Sequence, residues 1–191
     1  HLAGLQIPFV RENPPLGAAV NVVGSTNLFE AVKKNQVKGI SYASSMAVFG
    51  PAEAYHEAPI PDDAMRLPST LYGVFKTANE DTAKVYWEDW QVGSLGLRPG
   101  VVYGVGRDQG MTSDIAKAIF AIAADQPFKI RFDGLVTLQH AGDVAEMFID
   151  CALAEHQGAV ACNIRNDVVE VEEFVRLARQ IEPAARIEFQ E

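Results

Sequence analysis

Lys38-Gly39-Ile40-Ser41-Tyr42-Ala43-Ser44-Ser45 is the stretch that decides the fold. The run is short, β-branched and aromatic, and it reads as a buried strand that delivers two hydroxyls to its carboxyl end. Before it, residues 14–35 place Leu16, Val20, Val23, Leu28, Ala31 and Val32 at helical spacing, with Pro14 and Pro15 suited to a first turn. After it comes a loop over 50–69, rich in Pro, Asp and Ala and long enough to be functional. A second long helix over 70–91 then carries Tyr72, Lys76, Ala83, Tyr86 and Trp87, and Gln91-Val92-Gly93 ends it before a strand over 94–97. Strands alternating with long helices are the units of a parallel βαβ sheet, so the expected class is α/β, doubly wound.

Farther along, Arg98-Pro99-Gly100-Val101-Val102-Tyr103-Gly104 reads as a strand end breaking into a glycine-punctuated loop. Helices are expected near 112–125, 141–155 and 170–181, with strands near 128–132, 135–139, 159–164 and 185–189. These shorter elements imply a small interleaved α/β lobe. The expected division is 1–106 as one domain and 107–191 as mainly the second lobe, with 135–155 returning to the first core.

Composition narrows the function. With 191 residues, 48% hydrophobic and 21% charged, the chain can bury a sizeable core. A formal charge of −9 without a basic run argues against nucleic acid and against an anionic membrane surface, both of which need clustered Lys and Arg. No apolar run approaches the ~20 residues of a membrane span, and no signal peptide is visible, so a cytoplasmic location is expected. Cys151 and Cys162 are too few and too far apart in sequence for a disulfide framework or a zinc site; they are expected to be buried, reduced and inert, and no metal is expected. His1-Leu2-Ala3-Gly4 reads as the end of a strand already under way, so the chain is expected to begin inside a domain.

The chemistry concentrates on Tyr72 and Lys76. Four residues apart near a helix start, they stack on one face. Taking a proton from an alcohol needs a phenolate, and a tyrosine near pKa 10 is a poor base at neutral pH until a cation stabilises the charged form. A lysine one turn along supplies that cation, and Ser45 at the tip of the preceding strand would hydrogen-bond the reacting oxygen. Ligand sites in such sheets lie beyond the carboxyl ends of the strands.

Five segments together are similar to consecutive signatures of one family. His1-Leu2-Ala3-Gly4, Asn21-Val22-Val23-Gly24-Ser25-Thr26-Asn27-Leu28, Tyr42-Ala43-Ser44-Ser45-Met46-Ala47-Val48-Phe49-Gly50, Tyr72-Gly73-Val74-Phe75-Lys76 and Arg98 to Gly104 resemble, in order and spacing, the extended short-chain dehydrogenase/reductase superfamily, the NAD-dependent epimerase/dehydratase family. The resemblance implies an incomplete Rossmann-like domain in 1–106 and a substrate-binding lobe in 107–191. It implies Tyr72 as catalytic base, Lys76 as the lysine that lowers its pKa and holds the nicotinamide ribose, and Ser45 as the hydroxyl on the substrate oxygen. Asn21 matches a helix asparagine that supports the active site; a polar side chain satisfying a helix irregularity is the equal alternative. Ala3, Gly4, Ala43, Ser44, Pro99 and Val102, with Tyr72 and Lys76, match cofactor-lining positions. Gln6, Ser45, Met46, Arg107 and Thr112 match positions toward substrate. The implied cofactor is NAD or NADP, with NAD favoured, and helices 14–35 and 70–91 would pair two subunits as a homodimer.

The departures are as informative. The glycine-rich loop that cradles the pyrophosphate at a helix N-terminus is absent from these residues, so this fragment is expected to be inactive alone. Where sugar-nucleotide epimerases carry an asparagine near the diphosphate stands Val101, and Leu135 to Asp143 offers no arginine. Arg107 and Arg131 remain as cations for that role. Three outcomes follow for the function: sugar or nucleotide-sugar epimerisation through transient oxidation, dehydrogenation of a non-nucleotide sugar or sugar acid, or non-catalytic dinucleotide sensing. Dehydration ranks lowest, because Met46-Ala47 lacks the acidic residues expected after the serine. Asp143 is expected to cap a helix, His140 to be a satisfied half-buried histidine, and Thr112 or Ser113 to cap the helix that follows the 107–114 loop.

Overall fold

The computed structural model describes residues 1–110, 112–166 and 168–190. The chain divides into two compact units, His1–Pro99 with Ala145–Ile164, and Gly100–Val144 with Arg165–Glu191.

In the first unit, β1 (Ile40–Ala43), β2 (Ser94–Arg98) and β6 (Ala159–Asn163) form a parallel sheet in the order β1-β2-β6. The register runs from Ile40 opposite Ser94 to Ala43 opposite Leu97, and from Ser94 opposite Ala159 to Arg98 opposite Asn163. On the other edge of β1 the His1 carbonyl accepts from Ala43 N at 2.9 Å, so the first residues run beside the strand. Phe29 of α3 (Gly24–Lys34) and Tyr86 of α4 (Leu71–Trp90) pack with Tyr42, Val32, Ile40, Ala83 and Val92 into one core. Phe29 meets Tyr42 edge-on at 5.8 Å and Tyr86 at 5.2 Å between ring centroids, the offset geometries that aromatic quadrupoles favour.

Helix α4 has clear ends. Thr70 caps it, its Oγ1 accepting from Gly73 N at 3.1 Å, and Gln91 closes it in the left-handed region at φ 55°. The first helical stretch differs from the single helix expected over 14–35. It is divided into α1 (Ile7–Glu12), α2 (Pro14–Ala18), a π-helical turn over Ala19–Val23, and α3. Asn21, buried in the middle of the π turn, accepts from Leu5 N at 2.7 Å and donates to Leu5 O at 2.9 Å. Asn21 therefore sits in a helix irregularity and holds Leu5, the residue that follows Gly4. Asn21→Leu would leave both Leu5 groups without these bonds, and we expect it to cost about 2 kcal/mol of stability in urea unfolding.

In the second unit, β3 (Val101–Tyr103) pairs in parallel with β5 (Leu135–His140), and β5 pairs antiparallel with β7 (Val168–Glu170). A separate parallel pair joins β4 (Phe128–Ile130) to β8 (Ile187–Phe189). Ile115 and Ala118 of α5 (Asp114–Ala123), Ile130, Val136, Ile187, and Val171 and Val175 of α7 (Val171–Ile181) form the core. The unit boundary differs from the expected one after residue 106, because β3 takes β5 as partner and not β2. The segment that rejoins the first unit is 145–164, not 135–155, and the boundary falls inside α6 (Ala141–Leu153). The short antiparallel β7 is a strand that the sequence reading did not place.

Several smaller expectations are corrected. Ser113 occupies the α5 N-cap position, but its Oγ donates to Gly110 O at 2.9 Å instead of capping. Met111, in the same loop, lies outside the described residues. Asp143 lies within the first turn of α6, where a carboxylate still favours the helix dipole, and does not cap it. His140 is exposed: its ring packs edge-on to Tyr103 at 5.6 Å, and its Nδ1 accepts from Gly142 N at 3.3 Å. Cys151 and Cys162 are free thiols, half-buried rather than buried, and burial pushes both pKa values up. Among the described residues no helix is long and apolar enough to cross a membrane.

Candidate active site

Strand β1 ends at Ala43, and the two serines continue beyond it along β2. Ser44 N donates to Leu97 O at 2.8 Å, and Met46 N donates to Pro99 O at 3.2 Å. Ser45 is fully extended, and its Oγ accepts from Ala47 N at 3.1 Å, which opens a single 3-10 turn over Met46–Val48. Helix α4 presses on this turn at Gly73. A Cβ there would lie 2.1 Å from Ala47 O and 3.0 Å from Pro68 Cβ, so no larger residue fits without displacing backbone. Tyr72 is the residue before this contact, which brings the helix start bearing it against the turn that follows Ser45.

One turn along α4, Lys76 is only 5% exposed. Its Nζ donates to Ala43 O at 2.6 Å and lies 5.5 Å from the centroid of the Tyr72 ring. Burial lowers its pKa to about 8, because an ammonium loses solvation in this setting. A Cβ at Gly4 would stand 3.4 Å from Asn21 Oδ1 and 3.6 Å from Lys76 Nζ, so the backbone of the first residues passes close to the ammonium. Gly4, Asn21, Ala43, Tyr72 and Lys76 are thus neighbours, with Ser44 and Ser45 continuing the strand that holds Lys76.

Of the other expected residues, Met46 stands half-buried in the 3-10 turn, Pro99 accepts from it, Ala3 is exposed, and Gln6 is the exposed N-cap position of α1. Val102, Arg107 and Thr112 belong to the second unit. There Val102 lies opposite Gln139 on β5, and Arg107 Nη2 donates to Thr112 Oγ1 at 3.1 Å. Arg131, read from sequence as an unassigned cation, is committed to Asp114: its Nε and Nη2 reach the two carboxylate oxygens at 2.8 and 2.7 Å, and its backbone N donates as well. Among the described residues no group of three or more His, Cys, Asp or Glu side chains converges as a metal site.

The Lys76 titration is directly testable. After reductive ¹³C-methylation, we expect its NMR resonance to titrate near pH 8, whereas exposed lysines titrate near 10.4. With the folded pKa below the unfolded one, the unfolded chain binds more protons between these values. The charge therefore opposes folding in full below about pH 8, and the penalty fades by about 10.4. The stability difference between wild type and Lys76→Met should shift toward wild type as pH rises from 8 to 10.

Sequence reasoning missed a buried ionic cluster behind this site. Glu80, four residues beyond Lys76 on the same helix face, is buried, and Ser44 Oγ donates to its Oε1. Arg98, at the end of β2 and 4% exposed, donates through Nε and Nη2 to both carboxylate oxygens at 2.7 Å each. Arg98 Nη1 also reaches Asp62 O at 2.7 Å and Asn163 Oδ1 at 3.2 Å. From the 50–69 loop, Arg66 donates to Glu80 Oε2 at 3.2 Å and to Asp81. Asn163 holds the same loop through Ile60 O and Asp62 Oδ1. Burial beside Glu80 drives the Tyr42 phenol up, which keeps it neutral. The available signal was the Tyr72, Lys76, Glu80 spacing together with a charged residue between Leu97 and Pro99.

Residues 1–164 match the family described as the NAD dependent epimerase/dehydratase family. The chain is 32% identical over 155 residues to the UDP-glucose 4-epimerase of Mycolicibacterium smegmatis, covering 78% of this chain and 48% of that enzyme. Among solved structures it is similar to the MoeE5 complex with UDP-glucose and NAD, with a TM-score of 0.83 at 26% identity over 100% of this chain and 64% of that one. It shares its fold with L-threonine dehydrogenase from Phytophthora infestans, with a TM-score of 0.86 at 21% identity over 100% of this chain and 63% of that one. The chain thus spans less than two thirds of the length of each of these relatives.

Proposed function

The chain belongs to the NAD dependent epimerase/dehydratase family, and from that premise we propose that it carries the proton-abstracting half of an NAD(P)-dependent enzyme acting on a sugar or nucleotide-sugar carbinol. The observation that carries this reading is the meeting of Tyr72, the buried Lys76 ammonium and the Ser45 turn within one unit. Tyr72 takes the hydroxyl proton of the substrate. Lys76 favours the phenolate by charge, and Ser45 orients the reacting oxygen.

The nicotinamide half of a dinucleotide fits the residues present. Lys76 offers donors beside Tyr72, and the backbone at Gly4 passes close to the ammonium. Lys76 and Tyr72 would hold the ribose, with Gly4 and Ala43 lining the approach. When bound, the nicotinamide supplies the hydride acceptor. The chain's own residues hold the substrate oxygen and move its proton, and NAD is favoured over NADP. Leu16, Val23, Leu71, Val74 and Val85 leave apolar surface exposed on the two long helical stretches, which supports a homodimer through them; a monomeric mass in light scattering at micromolar concentration would exclude it. A cytoplasmic location belongs to the same reading.

Dehydrogenation of a smaller, non-nucleotide alcohol is the second reading. It is favoured by Val101 in place of an asparagine and by the commitment of Arg131 to Asp114, which leave few cations for a diphosphate. A panel of UDP-hexoses and free sugars or sugar acids, assayed with the whole protein for epimer formation and for net cofactor reduction, decides between them. Epimer formation without net reduction supports the first reading. Net reduction with a non-nucleotide alcohol supports the second, and tight cofactor binding with no turnover on any member overturns both in favour of a sensor.

A further inference from the structure

Glu80 takes no part in the chemistry proposed above, yet its carboxylate is bonded on several sides. Ser44 Oγ and Arg98 Nε share Oε1, and Arg98 Nη2 and Arg66 Nη1 share Oε2. An ionised carboxylate only accepts, so the Ser44 hydroxyl must spend its single proton on Glu80. The backbone N of Ser44 is committed to Leu97 O at the same time. Ser44 is therefore fixed at both its main chain and its side chain. It stands between Ala43, whose carbonyl receives the Lys76 ammonium, and Ser45, whose Oγ opens the turn against which Gly73 packs.

We propose that Glu80 is a positioning residue: through the Ser44 hydroxyl it fixes the backbone of residues 43–45, so that the Ala43 carbonyl holds Lys76 beside Tyr72 while Ser45 keeps its extended conformation. The proposal rests on the functional reading given above. A carboxylate suits the task better than a neutral acceptor, because a charge-assisted hydrogen bond to a buried carboxylate is shorter and stronger than a neutral one. The two guanidinium groups have a distinct part. They compensate the charge of Glu80 in a buried setting, and Arg66 anchors the 50–69 loop to the same carboxylate. A group that served only the ion pair would not need Ser44 at all, since Arg98 alone already engages both carboxylate oxygens.

The test is a double-mutant cycle on Ser44→Ala and Glu80→Gln, with kinetics in the whole protein and melting temperature recorded for each variant. Glu80→Gln keeps the size and one acceptor oxygen, and Ser44→Ala leaves the ion pair untouched. If Glu80 acts through Ser44, each single variant lowers kcat about tenfold with KM little changed, and the double variant is no slower than the slower single one. Ser44→Thr, which keeps the hydroxyl, restores most of the loss. Additive effects, about a hundredfold in the double variant, or an unchanged kcat with only a lower melting temperature, would overturn the proposal.

A second measurement separates this outcome from a failure of the functional reading. In the ¹³C-methylated 191-residue chain, Ser44→Ala should lower the Lys76 titration midpoint, because a displaced Ala43 carbonyl no longer stabilises the ammonium. A midpoint unchanged or raised in a folded variant overturns the positioning role whatever the activity. A wild-type protein without turnover, alongside a lowered midpoint in Ser44→Ala, leaves the positioning role standing and overturns only the enzymatic reading.

Discussion

Tyr72→Phe should lower kcat about a thousandfold in the whole protein, within the range that a positioned general acid-base group contributes, while KM for the substrate changes little. Phenylalanine keeps the ring and with it the packing at the start of α4, where Lys76 Nζ stands 5.5 Å from the ring centroid. Only the hydroxyl is lost, and the hydroxyl is the group that takes the proton. Loss confined to kcat is the signature of an interaction made in the transition state, whereas a raised KM alone would mark a binding residue. Lys76→Met should act on the same step by a different route. Without the ammonium the phenolate is less favoured, so the limb on which kcat rises with pH should move to higher pH. A Tyr72→Phe protein that turns over within tenfold of wild type would remove Tyr72 from the chemistry. It would leave the fold untouched, because no core residue of the first unit changes.

How much of this was legible in the sequence depends on the range of the interaction that decides each feature. Strands β1 and β2 of the first unit follow from local runs: Ile40 to Ala43 and Ser94 to Arg98 are apolar enough to be read as buried strands, and α4 is readable as the long helix that carries Tyr72 and Lys76. Tyr72 and Lys76 were readable as one pair because four residues on a helix fix their common face. The π turn at Ala19–Val23 was not, since the apolar spacing of Val20, Val23 and Leu28 fits an uninterrupted helix nearly as well. What widens the turn is Asn21 bonding Leu5, sixteen residues away. Strand β7 was missed because three residues carry no alternation to detect, and its identity comes only from pairing with β5. The same holds for the unit boundary, which rests on β3 choosing β5. Glu80 and Arg98 looked like ordinary helix and strand-end charges. Their burial is a property of the assembled sheet and loop, and sequence spacing shows only that Glu80 shares a face with Lys76.

That burial leads to the largest stability effect expected in the molecule. Arg98 is 4% exposed and binds both oxygens of Glu80, itself 7% exposed, together with Asp62 O and Asn163 Oδ1. Arg98→Met keeps the apolar length of the side chain but leaves the Glu80 carboxylate with Ser44 and the half-exposed Arg66 alone. Removing one partner from a buried pair costs about 3–5 kcal/mol, because the remaining charge keeps its desolvation penalty and loses most of its compensation. Solvent-exposed pairs such as Lys84 with Glu88 contribute little by comparison, as water already screens them. Both tryptophans of the chain, Trp87 and Trp90, sit on α4 in the same unit, so urea unfolding followed by tryptophan fluorescence reads the affected unit directly. Adding Glu80→Leu to Arg98→Met should recover part of the loss, since the pair is then replaced by apolar groups and no uncompensated charge remains. The double variant should nevertheless lose activity, because Glu80→Leu removes the acceptor of the Ser44 hydroxyl. An Arg98→Met variant less than about 1 kcal/mol below wild type would mean that Glu80 relaxes into solvent or is adequately held by Arg66, and the cluster would then be a weaker support for the β1 tip than its burial implies.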